Sequence, residues 1–120
     1  EIRNMFYRSK RPVDDPQKLY NREMVEHVLM MKKPILFNAY SDVGAEENKL
    51  TESLKLMKIG SAMCAPMVGS YGIKGAIYLD CHERPNGFKT EDLALLADLS
   101  SRATLAMDIV FLQRWDLSES

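Results

Sequence analysis

Apolar positions in this chain change spacing around residue 80, and that change organises the reading of its second half. Ala62 to Val68 and Ile73 to Asp80 are short runs rich in apolar and β-favouring residues, joined through Gly69, Ser70, Tyr71 and Gly72. They predict two antiparallel strands around a tight turn, the strongest hairpin signal in the sequence. Arg84 to Gly87 predicts a further turn, after which apolar residues recur at helical spacing. Thr90 is the predicted cap of that last helix, with Glu91 and Asp92 acidic where the helix dipole favours them. Leu93, Leu96, Ala97, Ala103, Met107 and Val110 fall on one face, and Leu95, Leu99, Ala106 and Ile109 on another. One stripe can cover a sheet; the second implies an adjacent helix in the parent protein or in a second copy, unless it wraps the domain's own core.

The first half has weaker punctuation. Ile2 to Arg8 predicts a strand, and Pro12, Asp14, Asp15 and Pro16 mark a loop over Arg11 to Gln17. Asn21 is the predicted N-cap of a helix whose stripe is Met24, Val25, Val28, Leu29 and Met31, ending near Lys32 and Lys33 before Pro34. Pro34 to Asn38 predicts a strand and Tyr40 to Gly44 a loop. A second helix is expected from Ala45 to Lys58, with Leu50, Leu54 and Met57 at helical spacing and Gly60 as its stop. Together these elements make an α+β domain.

Composition narrows the function classes. A chain of 120 residues is one domain, able to bury roughly two-thirds of its unfolded surface. Its 46% hydrophobic and 28% charged residues are ordinary for a globular protein, and no apolar run approaches the roughly 20 residues of a membrane span. We expect a cytoplasmic protein with no membrane partner. Net charge is −1 with scattered basic residues, which argues against direct nucleic-acid binding. The first residue is Glu1 rather than methionine, so a piece of a larger protein is expected.

Candidate chemistry is sparse. Cys64 and Cys81 stand on neighbouring predicted strands but without a signal peptide are expected as reduced thiols. Cys81 and His82 are adjacent on a strand, hence on opposite faces, and a zinc site would need two more ligands. The pairs Glu46–Glu47 and Glu91–Asp92 diverge on helix surfaces and read as solvated. Gly69, Gly72 and Gly75 lie in a hairpin rather than before a helix N-terminus, which argues against a dinucleotide loop. The eight methionines can fill an irregular core or line an adaptable cavity.

Cys64-Ala65-Pro66-Met67, the Gly75 to Asp80 strand and Phe88-x-x-Glu91-Asp92 together resemble the GAF family of regulatory domains, with the likeness extending from about Asn21 to Ile109. Ile77-Tyr78-Leu79-Asp80 is most similar to GAF domains placed upstream of sigma-54 activators, nucleotide cyclases and sensor kinases. The resemblance implies a GAF/profilin-like antiparallel sheet of about six strands with helices on both faces, here without the family's first helix and strand. It implies a non-catalytic sensory module that dimerises through its terminal helix and controls a covalently linked output domain. A small-molecule ligand would sit between the sheet and the segment from Phe37 to Met57, against Phe37, Tyr40, Asp42, Cys64 and Tyr78.

Specialised family activities carry over less well. Asp80 and Cys81 stand where cyclic-nucleotide binders have Asn-Lys, although Phe88 and Asp92 match the later part of that signature. Cys81 and His82 follow the hairpin, whereas the Cys-His pair of bilin binders precedes it. A ligand-free structural dimerisation module is the alternative, favoured if Phe37, Met63 and Tyr78 fill the space; a methionine-sulfoxide-reductase type of enzyme would need further cysteines around the pocket. No particular cofactor is implied.

Overall fold

The computed structural model describes residues 20–39, 49–82 and 87–119, and among residues 111–119 only the Leu112 side chain. The expected strand at Ile2 to Arg8, the loop at Arg11 to Gln17, the Tyr40 to Gly44 loop and most of the Arg84 to Gly87 turn lie outside the described residues. In chain order the elements are α1 (Arg22–Met31), β1 (Ile35–Asn38), α2 (Lys49–Leu56), β2 (Ser61–Gly69), β3 (Gly72–Cys81) and α3 (Thr90–Glu119). Among the described residues the sheet has three antiparallel strands in the order β1-β2-β3, against about six expected from the family resemblance. No described helix is long and apolar enough to cross a membrane.

Alternation along the strands splits the core into two layers. Phe37, Ala62 and Cys64 face α1 and α2 and pack with Met24, Val25, Val28, Leu54 and Ile59. Met63 and Ala65 face the other way and pack with Leu96, flanked by Leu36, Ile77, Phe88 and Leu93. A sheet apolar on both faces needs a helix layer on each, and the 3.6-residue stripes of α1 and α3 supply them.

Helix ends follow local chemistry. The Met24 N–H donates to Asn21 Oδ1 at 2.8 Å, the expected cap, and Lys32 closes α1 in the left-handed region. α2 ends differently from expectation: Lys58, not Gly60, adopts positive φ, while the Gly60 N–H donates to the Cys81 carbonyl and enters the sheet. α3 starts at its expected cap, Thr90, so the cap falls one residue earlier. The Lys89 N–H donates to Asp92 Oδ2 at 2.8 Å, half of a capping box, so Lys89 caps and Thr90 is already helical.

Gly87, at φ +63°, leads the chain into α3 under the sheet's end. A Cβ there would stand 2.8 Å from both the Asn38 amide nitrogen and Ser61 Cβ, so both backbone and space demand glycine. Just beyond it the Phe88 N–H donates to Ser61 Oγ, and the Asn38 side chain donates to the Phe88 carbonyl. These bonds pin the start of α3 to β1 and β2.

The β2–β3 hairpin closes with Gly69 opposite Gly72 across Ser70 and Tyr71. Register slips by one between Met67–Gly75 and Val68–Ile73, leaving Lys74 as the extra residue of a β-bulge.

Along α3 the buried stripe changes character. Leu96 is followed at four-residue steps by Ser100, Thr104 and Asp108, all buried. The expected stripe holds through Ala103 but not at Met107 and Val110, which are exposed, because these polar residues bond to the sheet or to the helix itself. Ser100 Oγ donates to the Pro66 carbonyl at 2.6 Å, and Thr104 Oγ1 donates back to the Ser100 carbonyl. Leu95 and Leu99 are 70% and 56% exposed, and Ala106 and Ile109 are exposed with them. The second stripe therefore does not wrap the domain's own core.

Candidate functional site

Phe37, Cys64 and Tyr78 meet on the sheet face beneath α1 and α2, although 41 residues of sequence separate the first from the last. Register explains it: Cys64 pairs with Tyr78 on one side and Ile35 on the other, and Phe37 pairs with Ala62 two residues along. All project to one face by strand alternation. Tyr40 and Asp42 lie outside the described residues. Met63 projects to the opposite face, into the α3 layer, so it cannot fill space beside Phe37 and Tyr78.

Within this apolar layer sits a polar knot. The Tyr78 hydroxyl donates to Asp80 Oδ2 at 2.8 Å, and its ring meets Tyr20 edge-on with centroids 6.2 Å apart. Asn21, fully buried, donates from Nδ2 to Ser53 Oγ at 2.8 Å and reaches Met57 Sδ at 3.4 Å. Asn21 thus joins the start of α1 to α2, and its backbone N–H also favours the Tyr78 phenolate. The sequence marks Asn21 only as a cap; nothing local in it points to Ser53 or Tyr78, which are 32 and 57 residues away.

Electrostatically the face keeps Cys64 and Tyr78 protonated. Burial pushes the Cys64 thiol up to about 12 from an ordinary 9.0. Burial, followed by the adjacent Asp80 carboxylate, holds the Tyr78 phenol well above its ordinary range. A thiol so placed is a poor nucleophile and an inert structural cysteine. Register puts Cys81 opposite Ser61, three pairs away from Cys64 and on the other face, so the two cysteines, neither in a disulfide, are not arranged as a redox pair. The His82 ring contacts the Lys58 carbonyl at 2.9 Å through Nδ1. Among the described residues no group of His, Cys, Asp and Glu is arranged to hold a metal ion.

These raised values have a consequence for stability. The folded chain keeps the Cys64 proton to about pH 12, whereas the unfolded thiol releases it around 9.0. Its contribution is complete below that lower value and falls by up to about 1.4 kcal/mol per pH unit between the two. Tyr78, raised likewise, adds to the loss at still higher pH. The urea midpoint is expected to decline above about pH 9, and Cys64→Ala to flatten that decline. Equal slopes for parent and variant would show that Cys64 does not titrate on unfolding.

No protein-family model and no curated protein matches the sequence. Among solved structures, the chain is similar to the blue-light-absorbing form of the PixJ GAF domain of Thermosynechococcus elongatus, with a TM-score of 0.57 and 15% identity. The match covers 82% of this chain and 58% of that one, so the chain spans less than two-thirds of its neighbour. At that identity the likeness concerns backbone arrangement rather than site chemistry. An antiparallel sheet with α1 and α2 on one face and α3 on the other, superposing over most of the chain, makes this fold GAF-like.

Proposed function

We propose that this chain is a non-catalytic sensory or regulatory domain that self-associates through α3 and thereby controls an attached output module. The observation that carries the reading is the inverted helix: α3 turns Ser100, Thr104 and Asp108 to the sheet and Leu95, Leu99, Ala106, Ile109 and Val110 outward. Leaving leucines in water forgoes about 1.5–3 kcal/mol for each that a partner could cover. A second copy presents the same apolar stripe and so forms a self-complementary twofold contact. The exposed Arg102–Asp98 ion pair beside it contributes little by itself, being a surface i,i+4 pair.

A small-molecule role is the second reading, favoured by the polar groups of Asn21, Ser53, Tyr78 and Asp80 within the apolar layer. In it Phe37, Cys64 and Tyr78 form the wall of a site completed by Tyr40 and Asp42. The ligand-free dimerisation module is its alternative, favoured by how closely Met24, Val28 and Leu54 cover Phe37 and Cys64. Native mass spectrometry of the purified chain tests both. A dimer that Leu99→Glu converts to monomer is expected; a parent that is monomeric at tens of micromolar overturns the α3 contact. A small molecule released on denaturation selects the ligand-binding form, and an empty dimer selects the structural module.

A further inference from the structure

Three features converge on Asp108, two-thirds of the way along α3. The Ser70 N–H, at the tip of the β2–β3 hairpin, donates to Asp108 Oδ2 at 3.0 Å. Lys74, the extra residue of the bulge, brings Nζ to 3.9 Å from Oδ1, with both side chains largely buried. Gly69 leaves room for the carboxylate: a Cβ there would stand 2.7 Å from Oδ1. Oδ1 itself is buried without a hydrogen-bond partner.

This contact is the last polar attachment between α3 and the sheet among the described side chains, after Ser100 to Pro66. A buried carboxylate with one amide and one ammonium beyond hydrogen-bond distance is incompletely satisfied. Such a group holds its neighbours in register while engaged and gains hydration when released. Bulges re-aim side chains, and this one brings a cation to the helix. The apolar stripe lies on the far side of α3, so among the described side chains Asp108 is what ties the helix beyond Thr104 to the hairpin.

We propose that the β2–β3 turn and Asp108 form a latch that determines whether α3 beyond Thr104 is held on the sheet, passing changes at the hairpin tip into the helix. The latch supplies the coupling point for the regulatory reading and rests on that reading for its purpose, but the contact is measurable without it.

Hydrogen exchange on the full 120-residue chain tests the latch with two variants acting from opposite sides. Asp108→Ala removes the carboxylate, and Gly69→Ala displaces it without changing charge. Both are expected to speed exchange at Ser70 and at amides 105–112 by at least about tenfold, leaving α1 and the centre of β2 unchanged. Acceleration at Ser70 alone, no acceleration, or uniform acceleration throughout the chain overturns the latch. Native mass measured on the same samples reports association separately, so a monomeric parent with latched exchange would overturn the dimer and leave the latch standing.

Discussion

Asn21→Ala is expected to destabilise the folded chain by about 3 kcal/mol, more than loss of an N-cap alone, which costs about 1. The excess comes from its buried amide. Oδ1 satisfies the Met24 N–H at the start of α1, while Nδ2 donates to Ser53 Oγ on α2. Alanine leaves an amide and a hydroxyl short of partners in an apolar layer and opens a space beside Met57. Aspartate separates the two roles, since it caps as well as asparagine but cannot donate to Ser53. The order of urea midpoints should be parent, then Asp, then Ala, with the alanine variant melting roughly 10 °C or more below the parent. An alanine variant within about 1 kcal/mol of the parent would mean that Asn21 acts as a cap and nothing else.

That contrast marks what the sequence made legible. Where local chemistry decides, the elements were readable: Asn21 before an apolar stripe, Gly69 to Gly72 between two runs of β-formers, and acidic residues at the start of α3. Misplacements came where a hydrogen bond overrode a residue's intrinsic preference, across the chain at Gly60 and within one turn at Thr90. Gly60 looks like a helix stop, but its amide is taken by the Cys81 carbonyl, so the left-handed turn falls at Lys58. Thr90 is a better intrinsic cap than Lys89, yet the bond from the Lys89 N–H to Asp92 starts the helix earlier.

Of the residues that the family resemblance singles out, Phe37, Cys64 and Tyr78 share one face of the sheet, as the two-residue period of strands places them. Met63 was misjudged by one step of that parity. The partners of Asn21 and of Asp108 were not legible, because each contact joins elements more than thirty residues apart. A signal for the second did exist: Ser100, Thr104 and Asp108 continue Leu96 at four-residue steps, a polar ladder on what should be an apolar face.

The ladder makes α3 a helix on which neighbouring leucines have opposite worth. Leu96 is 4% exposed and packs with Met63 and Ala65, whereas Leu95 and Leu99 point away from the sheet. Leu96→Ala should cost about 3 kcal/mol, from lost transfer energy and a cavity that the two strand residues cannot close. Leu99→Ala, measured at a dilution where the chain is monomeric, should stay within about 0.5 kcal/mol of the parent. Dilution matters because any partner that binds only the folded chain adds its own binding energy to the apparent stability. Repeating the pair at high concentration should therefore leave the Leu96 deficit nearly constant and open a new deficit at Leu99, which grows with the logarithm of concentration. If Leu99→Ala is costly when dilute, its side chain is part of the domain's own core. If it is neutral at every concentration, the outward stripe of α3 is not covered by a second copy, and the dimer reading fails on the helix that motivates it.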